Sequence, residues 1–209
     1  GIKGEIIILG YTPVCQKNDI IKYDLTQALV NSKYAKELSE LPGVVKCHVA
    51  LNTGMNRIGE NRDHIEDIEK IYKLKNLDIT GIFSHLCRAD SEEEEDILFT
   101  RKQIENFDYI IDKLKENEID LGKIHLQNSY GITTYRDIHR DLARPGIILY
   151  GVPCDPCDKI LSKLPENEQF KPTMSLRCKV AMVKDVPAGE NIGYGNNFTT
   201  PQPMKIATI

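Results

Sequence analysis

Residues 141–151, DLARPGIILYG, set an arginine, a proline and a glycine in a row ahead of an apolar run that ends in tyrosine. Arg144 carries a permanent charge on a planar fork of donors. Pro145 fixes its own φ and biases Arg144 towards extended backbone. Gly146 lets the backbone approach a partner closely, with a free N–H aimed at it. At the end of a strand this tripeptide can hold an anionic or heteroaromatic ligand. It can also be a plain proline turn with a surface arginine. Other segments weigh on that choice: Arg57 in the run NTGMNRIG, the pair Ser84 and His85, and the pair Asn128 and Ser129. Taken singly, Arg57 reads as a solvated loop arginine, His85 as a hydrogen-bonded strand-end histidine, and Asn128 with Ser129 as a helix cap. Met55 reads as packing. Together, two arginines, an imidazole, an amide, a hydroxyl and backbone N–H groups suit a flat phosphate ester.

What these positions share is that each follows a predicted strand or, for Arg144 to Gly146, lies in the last strand region. Short apolar runs at 5–9, 26–30, 44–51, 79–83 and 123–127 read as buried strands. Helical spacing appears at 17–23, at 32–41 before Pro42 and Gly43, and at 62–74 through Ile65, Ile68, Ile71 and Tyr72. Ser91 with Glu94 fits a capping box, and the acidic run 92–95 suits a helix start. That helix continues through Ile104, Phe107, Ile110, Ile111 and Leu114. A short helical segment follows residue 127, and 142–150 closes the series as a strand region.

Strand and helix alternating in this way imply right-handed βαβ units and a parallel sheet. About six units are readable, which suits an α/β chain forming a partial (β/α)8 TIM-type barrel, lacking its first two units. In such a barrel the βα loops at the strand ends carry the chemistry. The texture changes after Tyr150. A linker with Pro153, Pro156 and Pro165 leads to alternating runs at 175–183 and 204–209, read as antiparallel strands. The expected division is 1–152 for the barrel part, 153–172 for the linker and 173–209 for the start of a C-terminal β domain.

The 209 residues are enough for a sizeable core, and 41% hydrophobic with 28% charged residues is ordinary for a globular chain. A net charge of −4 gives no reason to expect nucleic acid as a partner. No apolar run approaches the roughly 18 residues of a membrane span, and no signal peptide is visible. Most of Cys15, Cys47, Cys87, Cys154, Cys157 and Cys178 sit singly in or beside apolar runs, as reduced core cysteines do. Cys154 and Cys157 have CxxC spacing without the second ligand pair or helix start that metal or redox duty needs. Asn197-Phe198-Thr199 matches a glycosylation acceptor by chance. Gly1 is not an initiator methionine and Ile209 interrupts an apolar alternation, so the sequence reads as part of a longer protein.

The segments HVALNTGMNRIGE, GIFSHL, HLQNS, DLARPGIILYG and VPAGENIGYG, in that order, resemble the alanine racemase family. The resemblance implies pyridoxal 5'-phosphate as cofactor, an N-terminal (β/α)8 barrel with a C-terminal β domain, and a cytoplasmic homodimer. It implies racemisation of alanine or serine by proton transfer at both faces of the α-carbon, supplying D-amino acids for peptidoglycan precursors. Residue by residue, Arg57 would bond the cofactor's phenolic oxygen and His85 would lie on or beside its ring. Asn128 would sit by the cofactor. Ser129 with the backbone at Gly146 and Ile147 would hold the phosphate, with Tyr150 touching it. Arg144 would face the pyridine nitrogen and leave it unprotonated, since arginine does not readily release a proton. Tyr194 matches the family's catalytic tyrosine, which reaches into the partner subunit's site.

Two features depart from the family. The cofactor-bearing lysine, in a motif like Lys-Ala-Xaa-Ala-Tyr-Gly-His-Gly, has no counterpart here. Ala50 stands where many members carry a lysine that supports the arginine at the Arg57 position. The sequence HVA ahead of that motif is similar to serine/alanine racemases of vancomycin-resistance clusters, whose racemase domain is attached to a membrane-embedded domain. The missing lysine motivates an alternative, a non-catalytic racemase-derived module that binds cofactor or a partner. A decarboxylase or cofactor-carrier relative on the same barrel fits less well with Arg144 and Tyr194.

Overall fold

The computed structural model describes residues 2–152 and 164–209. The chain divides into two compact units, Gly1–Lys171 and Pro172–Ile209. Among the described residues no helix is long and apolar enough to cross a membrane.

In the first unit the elements run β1 (Ile6–Ile8), α1 (Lys17–Lys22), β2 (Leu25–Leu29), α2 (Ser32–Glu40), β3 (Val45–Asn52), β4 (Glu60–Asn61), α3 (Ile65–Tyr72), β5 (Leu77–Phe83), α4 (Glu94–Glu116), β6 (Lys123–His125) and α5 (Ser129–Thr134). The sheet order is β1-β2-β3-β5-β6, with β4 paired to β3, and every pairing is parallel. This is a curled half-barrel. Its strands alternate between two apolar environments, which explains their near-continuous hydrophobic runs. Leu29, Val49 and Ile82 face the helices and join Leu38, Ile68, Ile71, Phe107, Ile110 and Leu114 in the main core. Ala28, Ala50 and Phe83 form a smaller cluster on the inner face.

The helices sit where their sequences ask. Asn31 caps α2 by accepting the Tyr34 N–H at 2.7 Å. Lys17, buried, closes the other end of α2 by donating to the Leu38 and Leu41 carbonyls. Burial pulls its ammonium below the usual lysine range. Helix α4 buries Ile104, Phe107, Ile110, Ile111 and Leu114, as the spacing predicts.

Four expectations are corrected. Ser91 does not cap α4: the helix begins at Glu94, and Ser91 Oγ accepts the Glu93 N–H at 3.2 Å. That local turn uses the hydroxyl before the helix starts, while Glu94, Glu95 and Asp96 supply the charge at its positive end. The region 142–150 is not a strand. Only Leu142 bridges to His125, and Ile147–Tyr150 is a 3-10 turn ended by Gly151 at φ 69. Pro145 has no N–H to continue a ladder, and Gly146 at φ −116, ψ −97 turns the chain away. The run 175–183 pairs only from Met182. The ladder's last bond is Ala181 N–H to the Thr208 carbonyl, and earlier residues are exposed. Of the four described cysteines, all free, only Cys47 is buried, and Cys15 and Cys178 are exposed. Cys154 and Cys157 lie outside the described residues.

The second unit pairs β7 (Met182–Val186) antiparallel with β10 (Met204–Thr208), and β8 (Asn191–Ile192) with β9 (Phe198–Thr199). A 3-10 turn, Tyr194–Asn196, joins β8 to β9.

Candidate functional site

Arg144 is fixed from both ends. Its N–H donates to the Gln127 carbonyl at 2.9 Å. Its Nη2 donates to the carbonyls of Ser84 and Leu126, and lies 3.5 Å from His85 Nδ1. Its Nη1 is hydrogen-bonded to His125 Nδ1. The Phe83 ring lies under the guanidinium at 5.4 Å and stacks on His125 at 11° between planes. Burial lowers Arg144 to about 10, so it keeps its charge at neutral pH. Three of its five donors are engaged in this way. The Nε–H and one Nη1 proton have no partner among the described residues, and remain available to a ligand.

His85 follows directly from β5. Burial, then the charges of Arg144 and Arg57, push it down to about 4. At neutral pH it is an uncharged, flat imidazole. Its carbonyl accepts from Gln103 Nε2 at 3.2 Å, which fixes the backbone.

Asn128 caps α5, accepting the Gly131 N–H at 2.9 Å, and donates to the Leu86 carbonyl at 2.8 Å. The helix-cap reading of this residue therefore holds. Ser129 is buried, and its Oγ accepts the Gly146 N–H at 2.8 Å. The Gly146 N–H expected to be free is thus engaged.

His85, Asn128, Ser129, Arg144, Gly146 and Ile147 line one cavity of about 350 Å³, with Met55, Leu86, Cys87, Asp90 and Tyr130. Arg57 lines an adjoining pocket that shares Met55 and His85. Arg57 itself is exposed. Its loop is held by Asn52, whose Oδ1 accepts the N–H groups of Gly54 and Asn56. Ala50 is buried beside Phe83 and offers that loop no polar support. Tyr150 is exposed and does not line the cavity. Tyr194 belongs to the second unit and is fully exposed there. Among the described residues no group of three or more His, Cys, Asp or Glu could hold a metal ion.

The sequence reading passed over His125 and His48, both fully buried, although both lie in the motifs it quoted. A signal was there. Each is a histidine at an inward position of a short parallel strand, and His48 lies next to Ala28 and Gly81 on the neighbouring strands.

The chain's likenesses agree with one another. The family model for the alanine racemase N-terminal domain matches residues 1–153, and that for the alanine racemase C-terminal domain matches 173–209. An alanine racemase of Caldanaerobacter subterraneus subsp. tengcongensis is 34% identical over 100% of this chain and 53% of its own length. A serine/alanine racemase of Enterococcus gallinarum is 34% identical over 100% of this chain and 29% of its own length. The solved alanine racemase of Clostridium difficile 630 superposes with a TM-score of 0.79 at 31% identity, covering 99% of this chain and 54% of that one. The chain spans about half the length of the first of these relatives.

Proposed function

The chain belongs to the alanine racemase family, and on that premise we propose that it carries the cofactor-holding half of a pyridoxal-phosphate-dependent racemase for alanine or serine. The observation that carries the reading is the shared cavity. Side chains from three separate segments, His85, Ser129 and Arg144, meet there within one volume of about 350 Å³.

The donor set fits a flat phosphate ester. Ser129 Oγ and the Gly146 N–H are already within 2.8 Å of one another and form the phosphate end. Arg144, with two donors to spare, is the group for the ring nitrogen, and neutral His85 lies beside the ring. Arg57 is the donor for the phenolic oxygen. Bound pyridoxal phosphate would supply the electron withdrawal that acidifies an amino acid's α-proton. Arg144 would tune that withdrawal, since a guanidinium keeps its own proton and would not hand it to the ring nitrogen.

Tyr194 is proposed as the acid–base group for one face of the α-carbon, contributed to the partner subunit's site in a homodimer. The domain division proposed is 1–152, 153–172 and 173–209, supported by the spans of the two family matches. The protein is proposed to work in the cytoplasm.

Full-length protein loaded with pyridoxal phosphate should convert L-alanine or L-serine to the D-isomer. No D-isomer from the loaded protein would overturn the reading. The competing non-catalytic module is separated by adding borohydride to the full-length protein loaded with pyridoxal phosphate. A racemase should be trapped on a lysine, whereas binding that borohydride cannot trap favours the module.

A further inference from the structure

Strands β3 and β6 each turn a histidine onto the inner face of the sheet. His48 Nδ1 lies 2.8 Å from His125 Nε2, and His125 Nδ1 is hydrogen-bonded to Arg144 Nη1. Only one placement of protons satisfies this chain. A guanidinium only donates, so His125 Nδ1 must accept. A neutral imidazole has one ring proton, so His125 carries it on Nε2 and donates it to His48 Nδ1. His48 in turn carries its proton on Nε2. That nitrogen is buried without a hydrogen-bond partner among the described residues and lies 3.9 Å from Glu5 Oε1. Glu5 Oε1 is held by the Thr26 hydroxyl at 2.7 Å.

The fold makes room for this arrangement. A Cβ on Gly81 would lie 2.5–2.7 Å from the His48 ring, so β5 leaves its side-chain position empty there. The surroundings also keep both rings neutral. Burial lowers His48 first, with Glu5 opposing and Arg144 assisting. Burial, then Arg144, then His48 push His125 down to about 3. Glu5, ahead of β1, and Arg144, beyond β6, are the charged groups that bear on the pair. A protonated ring in either position would have no acceptor nitrogen left, and the chain to Arg144 would break.

We propose that His48 is a positioning residue: by taking the Nε2 proton of His125 it holds that ring with Nδ1 towards Arg144, and so aims the guanidinium into the cavity, with Glu5 Oε1 3.9 Å beyond its own Nε2. Its consequence for turnover rests on the cofactor-site reading above, whereas the proton placement does not.

The test is nitrogen-15 NMR of histidine-labelled full-length protein at neutral pH, without cofactor. Both rings should carry their proton on Nε2. An Nδ1-protonated or doubly protonated ring at either position overturns the proposal. His48→Phe keeps aromatic volume but removes the acceptor, and His48→Gln returns one as a side-chain carbonyl. In His48→Phe the His125 Nε2–H loses its acceptor, so its nitrogen-15 shift should move while Nδ1 stays unprotonated. The bound cofactor's absorption should shift, and turnover should fall about tenfold with KM little changed. His48→Gln should restore all three. An unmoved His125 Nε2 shift with unchanged turnover in His48→Phe overturns the proposal. If His48→Phe does not fold, the wild-type and His48→Gln ring spectra decide. A wild type that racemises nothing removes the cofactor-site reading but leaves the ring spectra to judge the relay.

Discussion

The Gly146 N–H donates to Ser129 Oγ at 2.8 Å, joining two groups that are 17 residues apart in the chain. A serine hydroxyl accepts one hydrogen bond and still has its own proton to give. An arriving phosphate oxygen can therefore take the Ser129 proton at once, and the Gly146 N–H by replacing its bond to Ser129 Oγ. Ser129→Ala should weaken pyridoxal-phosphate affinity about tenfold, the loss of roughly one good hydrogen bond. Absorbance titration of the full-length protein measures this. An unchanged affinity would remove Ser129 from the site.

Arg144→Lys should be costly although it keeps the charge. An ammonium is a point donor and cannot span the Ser84 and Leu126 carbonyls and His125 Nδ1 at once. At least one acceptor would be left without a partner, for a loss of about 1–3 kcal/mol. The urea midpoint reports it. An unshifted midpoint would mean that water already serves those acceptors.

Much of this architecture was legible from residue spacing. Ile104, Phe107, Ile110, Ile111 and Leu114 repeat with the period of a helix, and every one of them is buried. The sequence also marked His85, Asn128, Ser129, Arg144, Gly146 and Ile147, which line one cavity. The rest escaped for physical reasons. Two of the acceptors that hold Arg144 are backbone carbonyls, which no residue type announces. Ser91 has the letters of a cap, but its hydroxyl is taken up by a local turn. The apolar run IILY has the letters of a strand, but Pro145 and Gly146 deny it a ladder.

Tyr194 sits in a turn flanked by Gly193 at φ 72 and Gly195 at φ 75, with its ring exposed. Tyr194→Phe removes no buried contact and should change stability by less than about 0.5 kcal/mol. In the loaded full-length protein it should slow α-deuterium exchange for one enantiomer far more than for the other. Equal slowing of both would speak against its role on a single face.

Acid should destabilise the first unit through its buried imidazoles. Unfolded histidines take up a proton near pH 6.5, whereas folded His85 is pushed down to about 4 and folded His125 to about 3. Between these limits the unfolded chain binds more protons, so stability rises with pH. The contribution is complete above about pH 7 and is lost as pH falls through 6.5 towards 4 and 3. For His125 the slope approaches about 1.4 kcal/mol per pH unit, while partly exposed His85 adds less. Urea unfolding from about pH 7 down to about pH 5 checks this. A flat profile would show that both rings titrate normally.

Gly59 fixes the backbone of the loop that carries Arg57. It sits at φ +101, where side chains are strained, and a Cβ would lie 2.5 Å from the Leu51 carbonyl carbon and 2.6 Å from Asn52 N. Both contacts are backbone of β3 and cannot swing aside. Gly59 also donates its N–H to the Val30 carbonyl at 2.8 Å, tying the end of the Arg57 loop to the end of β2. Gly59→Ala must therefore move the loop rather than a side chain, at a cost of about 1–3 kcal/mol. Because Arg57 helps hold His85 unprotonated, the displaced loop should also let the His85 pKa rise. Histidine NMR titration of the variant reads that rise directly. A His85 titration identical to wild type would place the Arg57 charge elsewhere than beside this ring.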